Sequence, residues 1–113
     1  MKYPIMLSLV LSGALFADAA LAAAASVTIH SPADGATLDA MEQSKVEYEF
    51  ALGAGGDHAH FYVDGKETAI LRQLKGSHTL ETLTPGAHEL CIKVVNRNHT
   101  PIGVQQCLNV TVD

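Results

Sequence analysis

The stretch KVEYEFAL, residues 45–52, decides the fold. Apolar side chains at positions 46, 48, 50 and 52 alternate with charged or small ones, including two glutamates. A β-strand places successive side chains on opposite faces, so a period of two is typical of a strand with one buried face. The stretch therefore predicts a strand with one side in a core and the other in water.

Similar short stretches flank this strand on both sides. They cover residues 26–30, 58–64, 67–74, 77–83, 87–95 and 104–112. Turn residues separate them, and only residues 38–44 carry a helical pattern, one turn at most. Seven short strands of this kind predict an all-β, Ig-like (fibronectin-like) antiparallel β-sandwich. The chain contains no tryptophan, so it lacks the core tryptophan of true antibody domains.

The first 22 residues predict a signal peptide. A positive start, an apolar run and an alanine-rich end follow in the usual order, and cleavage is expected between positions 22 and 25. The apolar run is shorter than the roughly 20 residues that a membrane-spanning helix needs. We therefore expect a single domain over residues 23–113 that is periplasmic or secreted, with no membrane span in the mature form.

The two cysteines, Cys91 and Cys107, predict a disulfide, because an exported domain of this size is commonly stabilised by one. Two free thiols are the alternative. A final hairpin centred on His99 places Cys91 directly opposite Cys107. It also places Leu90 opposite Leu108 and Val94 opposite Val104. The bond is then a cross-strand link near the outer surface, and it fixes the register of the hairpin.

The net charge of −5 narrows the class of partner. Nucleic acids and anionic membrane surfaces both attract basic proteins, so neither is an expected partner.

The stretch GDHAHFYVDG, residues 56–65, contains the candidate site. Its apolar residues Ala59, Phe61 and Val63 are expected to face the core, which leaves His58 and His60 on the outer surface. Side chains two residues apart on a strand lie on the same face, about 6.6–7 Å apart, and two imidazoles at that spacing can bind one metal ion.

Further ligands are expected from two loops at the same end of the sandwich. The loop before this strand contains Asp57, and the loop of the last hairpin contains His99. Three histidines with one carboxylate suit copper(II) or zinc. A surface role without metal is the alternative, because a His-x-His pair also arises by chance in a chain with 6 histidines.

Three motifs, GDHAHFYVDG, LTPGAHELCIKVVN and NHTPIG, resemble a signature of small exported bacterial Ig-like domains of uncharacterised function. The resemblance covers residues 26–112. The matching residues are His58, His60, Asp64, Gly65, Pro85, Gly86, His88, Asn98, His99 and Pro101. The resemblance implies an Ig-like fold and places His58, His60 and His99 in one recurring group, but it implies no reaction.

The sequence thus predicts a non-enzymatic module that binds copper or zinc through surface histidines. The alternative is a metal-free structural module, or one that contacts a protein or glycan partner. No serine stands in a nucleophile motif, and no P-loop, dinucleotide-binding glycine pattern or HExxH motif occurs, so an enzyme is not expected.

Overall fold

The computed structural model describes residues 24–113, in which eight strands form two sheets. The strands are β1 (Ser26–Ser31), β2 (Ala36–Leu38), β3 (Lys45–Ala51), β4 (His58–Val63), β5 (Lys66–Leu71), β6 (Lys75–Thr79), β7 (Gly86–Val95) and β8 (Pro101–Val112). The predicted signal peptide lies outside the described residues.

One sheet has the order β1-β3-β6, and the other has the order β2-β8-β7-β4-β5. All neighbouring pairs are antiparallel except β2, which runs parallel to β8. This arrangement confirms the prediction of an all-β, Ig-like sandwich.

The core lies between the two sheets and follows the alternation in the sequence. In β3, Val46, Tyr48 and Phe50 are buried, whereas Glu47 and Glu49 are exposed. The opposite sheet contributes the inner side chains of β4, β7 and β8. Those that are fully buried or nearly so are Ala59, Phe61, Leu90, Ile92, Val94, Leu108 and Val110.

The structure differs from the prediction at the less regular strands. The turn-rich segment after β1 contains β2, a short strand that pairs with the end of β8. The strands predicted over 67–74 and 77–83 are shorter and begin earlier, at Lys66 and Lys75. Residues 39–44 form turns and bends without a helix. At β2, β5 and β6 weak local propensity gave way to pairing with a neighbouring strand.

The disulfide joins Cys91 and Cys107 across β7 and β8, and Leu90 pairs with Leu108, as predicted. Two details of this prediction were wrong. Cys91 is only 3% exposed, so one half of the bond is buried. Val94 does not pair with Val104, because the register shifts between Lys93 and Val95.

This shift is a β-bulge near the end of the hairpin. Gln105 and Pro101 stand four positions apart in β8, whereas their partners Lys93 and Val95 stand two apart in β7. Gly103 in the bulge has a φ of 87°, a backbone conformation that glycine adopts without steric cost. Bulges bend a strand, and this one lies immediately beside the loop that carries His99.

Removing the disulfide is expected to lower the free energy of unfolding by about 3 kcal/mol, as the chain-entropy estimate gives for a loop of this size. The variant combines Cys91→Ala with Cys107→Ala, whose sequence separation is 16 residues. The paired backbone around the bond remains, so a single cooperative urea transition should persist at lower denaturant. A midpoint equal to that of the wild type would contradict this expectation.

A second link, between His88 and Asp64, ties β7 to the turn after β4. His88 Nδ1 lies 2.6 Å from Asp64 Oδ2, and Nε2 lies 2.7 Å from the carbonyl oxygen of Thr84. Both ring nitrogens face acceptors, so the hydrogen bond to Asp64 and that to Thr84 raise the pKa of His88. Two hydrogen bonds lower the pKa of Asp64: the larger effect comes from the backbone N–H of Glu89, and the smaller one comes from the His88 side chain.

This link makes stability depend on pH. The contribution of His88 is complete below the ordinary histidine pKa of 6.5 and is lost as the pH rises through the raised value. The contribution of Asp64 is complete above its ordinary value of 3.8 and is lost as the pH falls through the lowered value.

We therefore expect His88→Gln to destabilise the protein more at pH 5.5 than at pH 9 in urea unfolding with chelator present. His30→Gln, which changes an exposed histidine beside Glu49, is the control. An equal effect of His88→Gln at both pH values would contradict the assignment.

Candidate metal centre

Three histidines converge at one end of the five-stranded sheet. His58 and His60 project from the same face of β4, opposite the face that Ala59 and Phe61 turn to the core. His99 comes from the loop between β7 and β8 and lies against both of them. The structure thus brings together the three histidines that the sequence analysis grouped.

The prediction that His58 and His60 lie on the surface was wrong, since each is only 2% exposed. The alternation placed them correctly on the outer face, but other side chains cover that face here. His99 lies over them from the loop, and Val95, which pairs with His58, is fully buried. Glu67 approaches His60 from β5.

The ring nitrogens of the three histidines form a small triangle. His58 Nε2 lies 3.0 Å from His60 Nε2 and 3.2 Å from His99 Nδ1, and the remaining side is 3.0 Å. A tetrahedral zinc ion with nitrogen ligands at 2.0–2.1 Å holds those ligands about 3.3 Å apart. The triangle is therefore close to the size of one face of a tetrahedral metal site.

Two carboxylates lie on the outer nitrogens of the β4 histidines. Asp57 Oδ2 is 2.8 Å from His58 Nδ1, and Glu67 Oε2 is 3.3 Å from His60 Nδ1, although the second pair is not aligned as a hydrogen bond. A carboxylate accepts hydrogen bonds, so it favours the tautomer with the proton on Nδ1. Both Nε2 atoms then direct lone pairs into the triangle, as in the carboxylate–histidine–metal arrangement.

The structure thus places Asp57 beside His58, with its carboxylate directed at Nδ1 rather than into the triangle. Sequence reasoning missed Glu67. The turn at Asp64-Gly65 held the necessary signal, because a two-residue hairpin turn places Glu67 opposite Tyr62, on the same face as the histidines.

The local environment favours the neutral imidazole that a metal requires. Burial lowers the pKa of His60, and this effect outweighs the opposing effect of Glu67. The hydrogen bond from His58 lowers the pKa of Asp57, which keeps that carboxylate ionised. Two lone pairs 3.0 Å apart repel each other unless a proton or a cation lies between them. Without metal, an Nδ1–H of His99 can supply the proton by donating a hydrogen bond to these nitrogens.

A closed loop holds His99 in place. Asn96 N–H donates to the carbonyl of Thr100, while the Asn96 side-chain oxygen accepts from the N–H groups of Asn98 and Thr100. His99 has a φ of 64°, in the left-handed region where non-glycine residues are uncommon. Such conformations persist only where the surroundings impose them, and they cluster at functional sites.

The remaining histidines of the described residues lie elsewhere. His30 contacts Glu49, His88 contacts Asp64, and the His78 ring lies 4.8 Å from that of Phe61. Burial lowers the pKa of His78. A second group, Glu89 with Cys91 and Cys107, has suitable spacing for a metal, but its sulfur atoms form the disulfide.

Solved structures show what the fold is similar to. No protein-family model matches the sequence, and no curated protein matches it. The fibronectin(III)-like modules of Clostridium thermocellum CbhA align with a TM-score of 0.63 at 15% identity, over 77% of this chain and 95% of that chain. A lytic polysaccharide monooxygenase of Jonesia denitrificans aligns with a TM-score of 0.51 at 17% identity, over 74% and 61%.

An engineered protein also aligns, with a TM-score of 0.56 and 17% identity, over 81% of this chain and 21% of that one. At such identities the matches establish the fold alone, a fibronectin(III)-like β-sandwich. They include both a module and an enzyme, so they do not decide the activity. Over residues 24–113 the structure has no helix long and apolar enough to cross a membrane.

Proposed function

We propose that this protein is a non-enzymatic, exported Ig-like module that binds zinc or copper(II). The ligands are His58 Nε2, His60 Nε2 and His99 Nδ1. The observation that carries the proposal is the convergence of these three nitrogens at 3.0–3.2 Å, with carboxylates on the outer nitrogens of two of the rings.

The donor set defines the class of metal. Imidazole nitrogen suits zinc and copper(II), whereas magnesium and calcium prefer oxygen ligands. Asp57 and Glu67 orient the β4 rings and increase the basicity of their Nε2 atoms. Both carboxylates lie outside the triangle, and their negative charges offset part of the charge of a divalent ion.

The disulfide supports an oxidising compartment, periplasmic or extracellular, because such bonds are rare in the cytosol. The signal-peptide prediction for residues 1–22 agrees with this location. The absence of a catalytic motif in the sequence is the ground for proposing a binding or accessory role rather than catalysis. A protein or glycan partner remains a prediction.

The test is a competitive titration of the purified protein with zinc and with copper(II), followed by histidine NMR signals. With zinc, the signals of His58, His60 and His99 are expected to shift together below roughly 10 μM metal, the range of a specific site, and with paramagnetic copper(II) they are expected to broaden together. His99→Asn is the best single change, because His99 is exposed and asparagine tolerates its left-handed conformation. It should weaken metal binding by about 100-fold or more. Loss of an outer-shell hydrogen-bond partner alone weakens binding by up to about 100-fold, and loss of a ligand should weaken it at least as much.

The matched control is His30→Ala, which removes an exposed histidine on β1 in the other sheet. It should leave metal affinity unchanged. Equal affinity in the wild type and His99→Asn, or failure of the three signals to move together, would contradict the metal site. The metal-free alternative, in which the histidines only hold the loop against the sheet, would then account for the cluster.

A further inference from the structure

The proposed metal would have an open coordination position. Three histidine nitrogens make up the group, and no other histidine, cysteine or acidic donor of residues 24–113 joins it. Zinc sites with three protein ligands keep the fourth position for water or an exogenous ligand. The charges around the site indicate which ligand that is.

Each histidine of the group has a cationic neighbour. Lys93 pairs with His60 across β4 and β7. Ile70 pairs with His60 and Leu71 with Ala59, so Arg72, the residue after β5, follows at the end of the sheet where His58 begins β4. Arg97 precedes His99 by two positions in the β7–β8 loop.

These three cations are a concentration of positive charge in an acidic protein. The lysines and arginines among residues 24–113 are Lys45, Lys66, Arg72, Lys75, Lys93 and Arg97. Half of them, including both arginines, therefore lie on or next to the strands and the loop that carry one site, although the net charge of the chain is −5.

The two arginines have no anionic partner of their own among residues 24–113, where every ion pair involves a histidine. Lys93 Nζ lies over the Tyr62 ring, 4.5 Å from its centre.

The charges do not balance once a metal binds. Asp57 and Glu67 offset a divalent ion, but Arg72, Lys93 and Arg97 then leave an excess of positive charge. Arginine presents a planar fork of N–H donors that matches the oxygens of carboxylates and phosphates. An oxyanion on the metal would fill the open coordination position and accept hydrogen bonds from the arginines at the same time.

We propose that the metal-loaded site binds an oxyanion, a carboxylate or a phosphate group, as its exogenous ligand, with Arg72 and Arg97 as positioning residues. This inference rests on the proposed metal site and adds the chemical class of its ligand. The oxyanion belongs either to a free small molecule or to a group on a partner, and both sources share this chemistry.

The test uses the purified protein loaded with cobalt(II), whose visible spectrum reports its coordination, at constant ionic strength. Acetate and methyl phosphate are titrated separately, with chloride as the control anion. At least one oxyanion should cause a saturable spectral change that chloride does not, and the stronger of the two identifies the ligand class. A further arm replaces acetate with a short peptide containing glutamate, which separates a partner carboxylate from a free one.

Combining Arg72→Gln with Arg97→Gln should weaken oxyanion binding about 10-fold or more, as expected from the loss of charge-assisted hydrogen bonds. Cobalt affinity should change little, because neither arginine contributes a donor atom. The matched control is Lys45→Gln with Lys75→Gln, which removes the same charge from the other sheet.

The outcomes separate the two proposals. If cobalt binds and neither oxyanion alters its spectrum, the oxyanion site is wrong and the metal site stands. The oxyanion site is also wrong if the lysine control weakens oxyanion binding as much as the arginine variant does. If cobalt fails to bind at all, both proposals are overturned.

Discussion

Saturating zinc is expected to raise the free energy of unfolding by about 4 kcal/mol when free metal exceeds its dissociation constant roughly 1,000-fold. The reason is the separation of the ligands along the chain, since His58 and His99 are 41 positions apart. The unfolded chain does not hold them together, so the metal binds the folded state preferentially. Thermal unfolding with zinc and with chelator measures this difference.

The variant that isolates this effect is His60→Leu. Among residues 24–113, His60 Nδ1 is the one buried side-chain nitrogen or oxygen atom without a hydrogen-bond partner. An apolar side chain of similar size should therefore be tolerated at this position. The variant should fold without metal and gain almost nothing from zinc, whereas His30→Ala should gain as much as the wild type. Equal stabilisation of His60→Leu and the wild type would show that zinc acts elsewhere.

Phe61→Ala is expected to destabilise the protein by about 3–5 kcal/mol, the usual cost of removing a buried phenylalanine. Phe61 has no solvent exposure and lies on the inner face of β4, between Ile92 of β7 and Ala69 of β5. Small domains are stable by only about 5–15 kcal/mol, so the variant should unfold at much lower urea concentration.

The matched control is Met41→Ala, which truncates an apolar side chain that is 93% exposed. Its effect should stay within about 0.5 kcal/mol, as for most surface changes. A loss below about 1 kcal/mol for Phe61→Ala would contradict its central place in the core. The same variant also tests how closely the site depends on the core, because His58 and His60 project from the same strand.

The fold followed from the sequence wherever one face of a strand is buried. In β3 the alternation determines which side chains enter the core, because a shift of one residue would reverse the two faces. The same reasoning placed Cys91 opposite Cys107 before the bulge. It failed at β2, which has only three residues and no pattern of its own, and which exists because the end of β8 offers it a partner.

The candidate site was only partly predictable. Alternation put His58 and His60 on one face, and the Ig-like order of strands put His99 at the same end. Neither argument could show that the face is covered, because the burial of His58 depends on how the loop that carries His99 packs against β4. The Asp64-Gly65 turn places Glu67 on the histidine face, but only the structure shows that its carboxylate approaches His60.

The sequence by itself determined the class of fold, the disulfide pair and the residue types available for a metal site, since these depend on periodicity and on the chemistry of single side chains. Only the tertiary structure decided that three imidazole nitrogens lie within 3.2 Å of one another, that two of the three rings are buried, and that carboxylates lie behind those two. Distances and burial between residues some 40 positions apart are set by how two strands and a bulged loop pack together, and no local pattern contains that information.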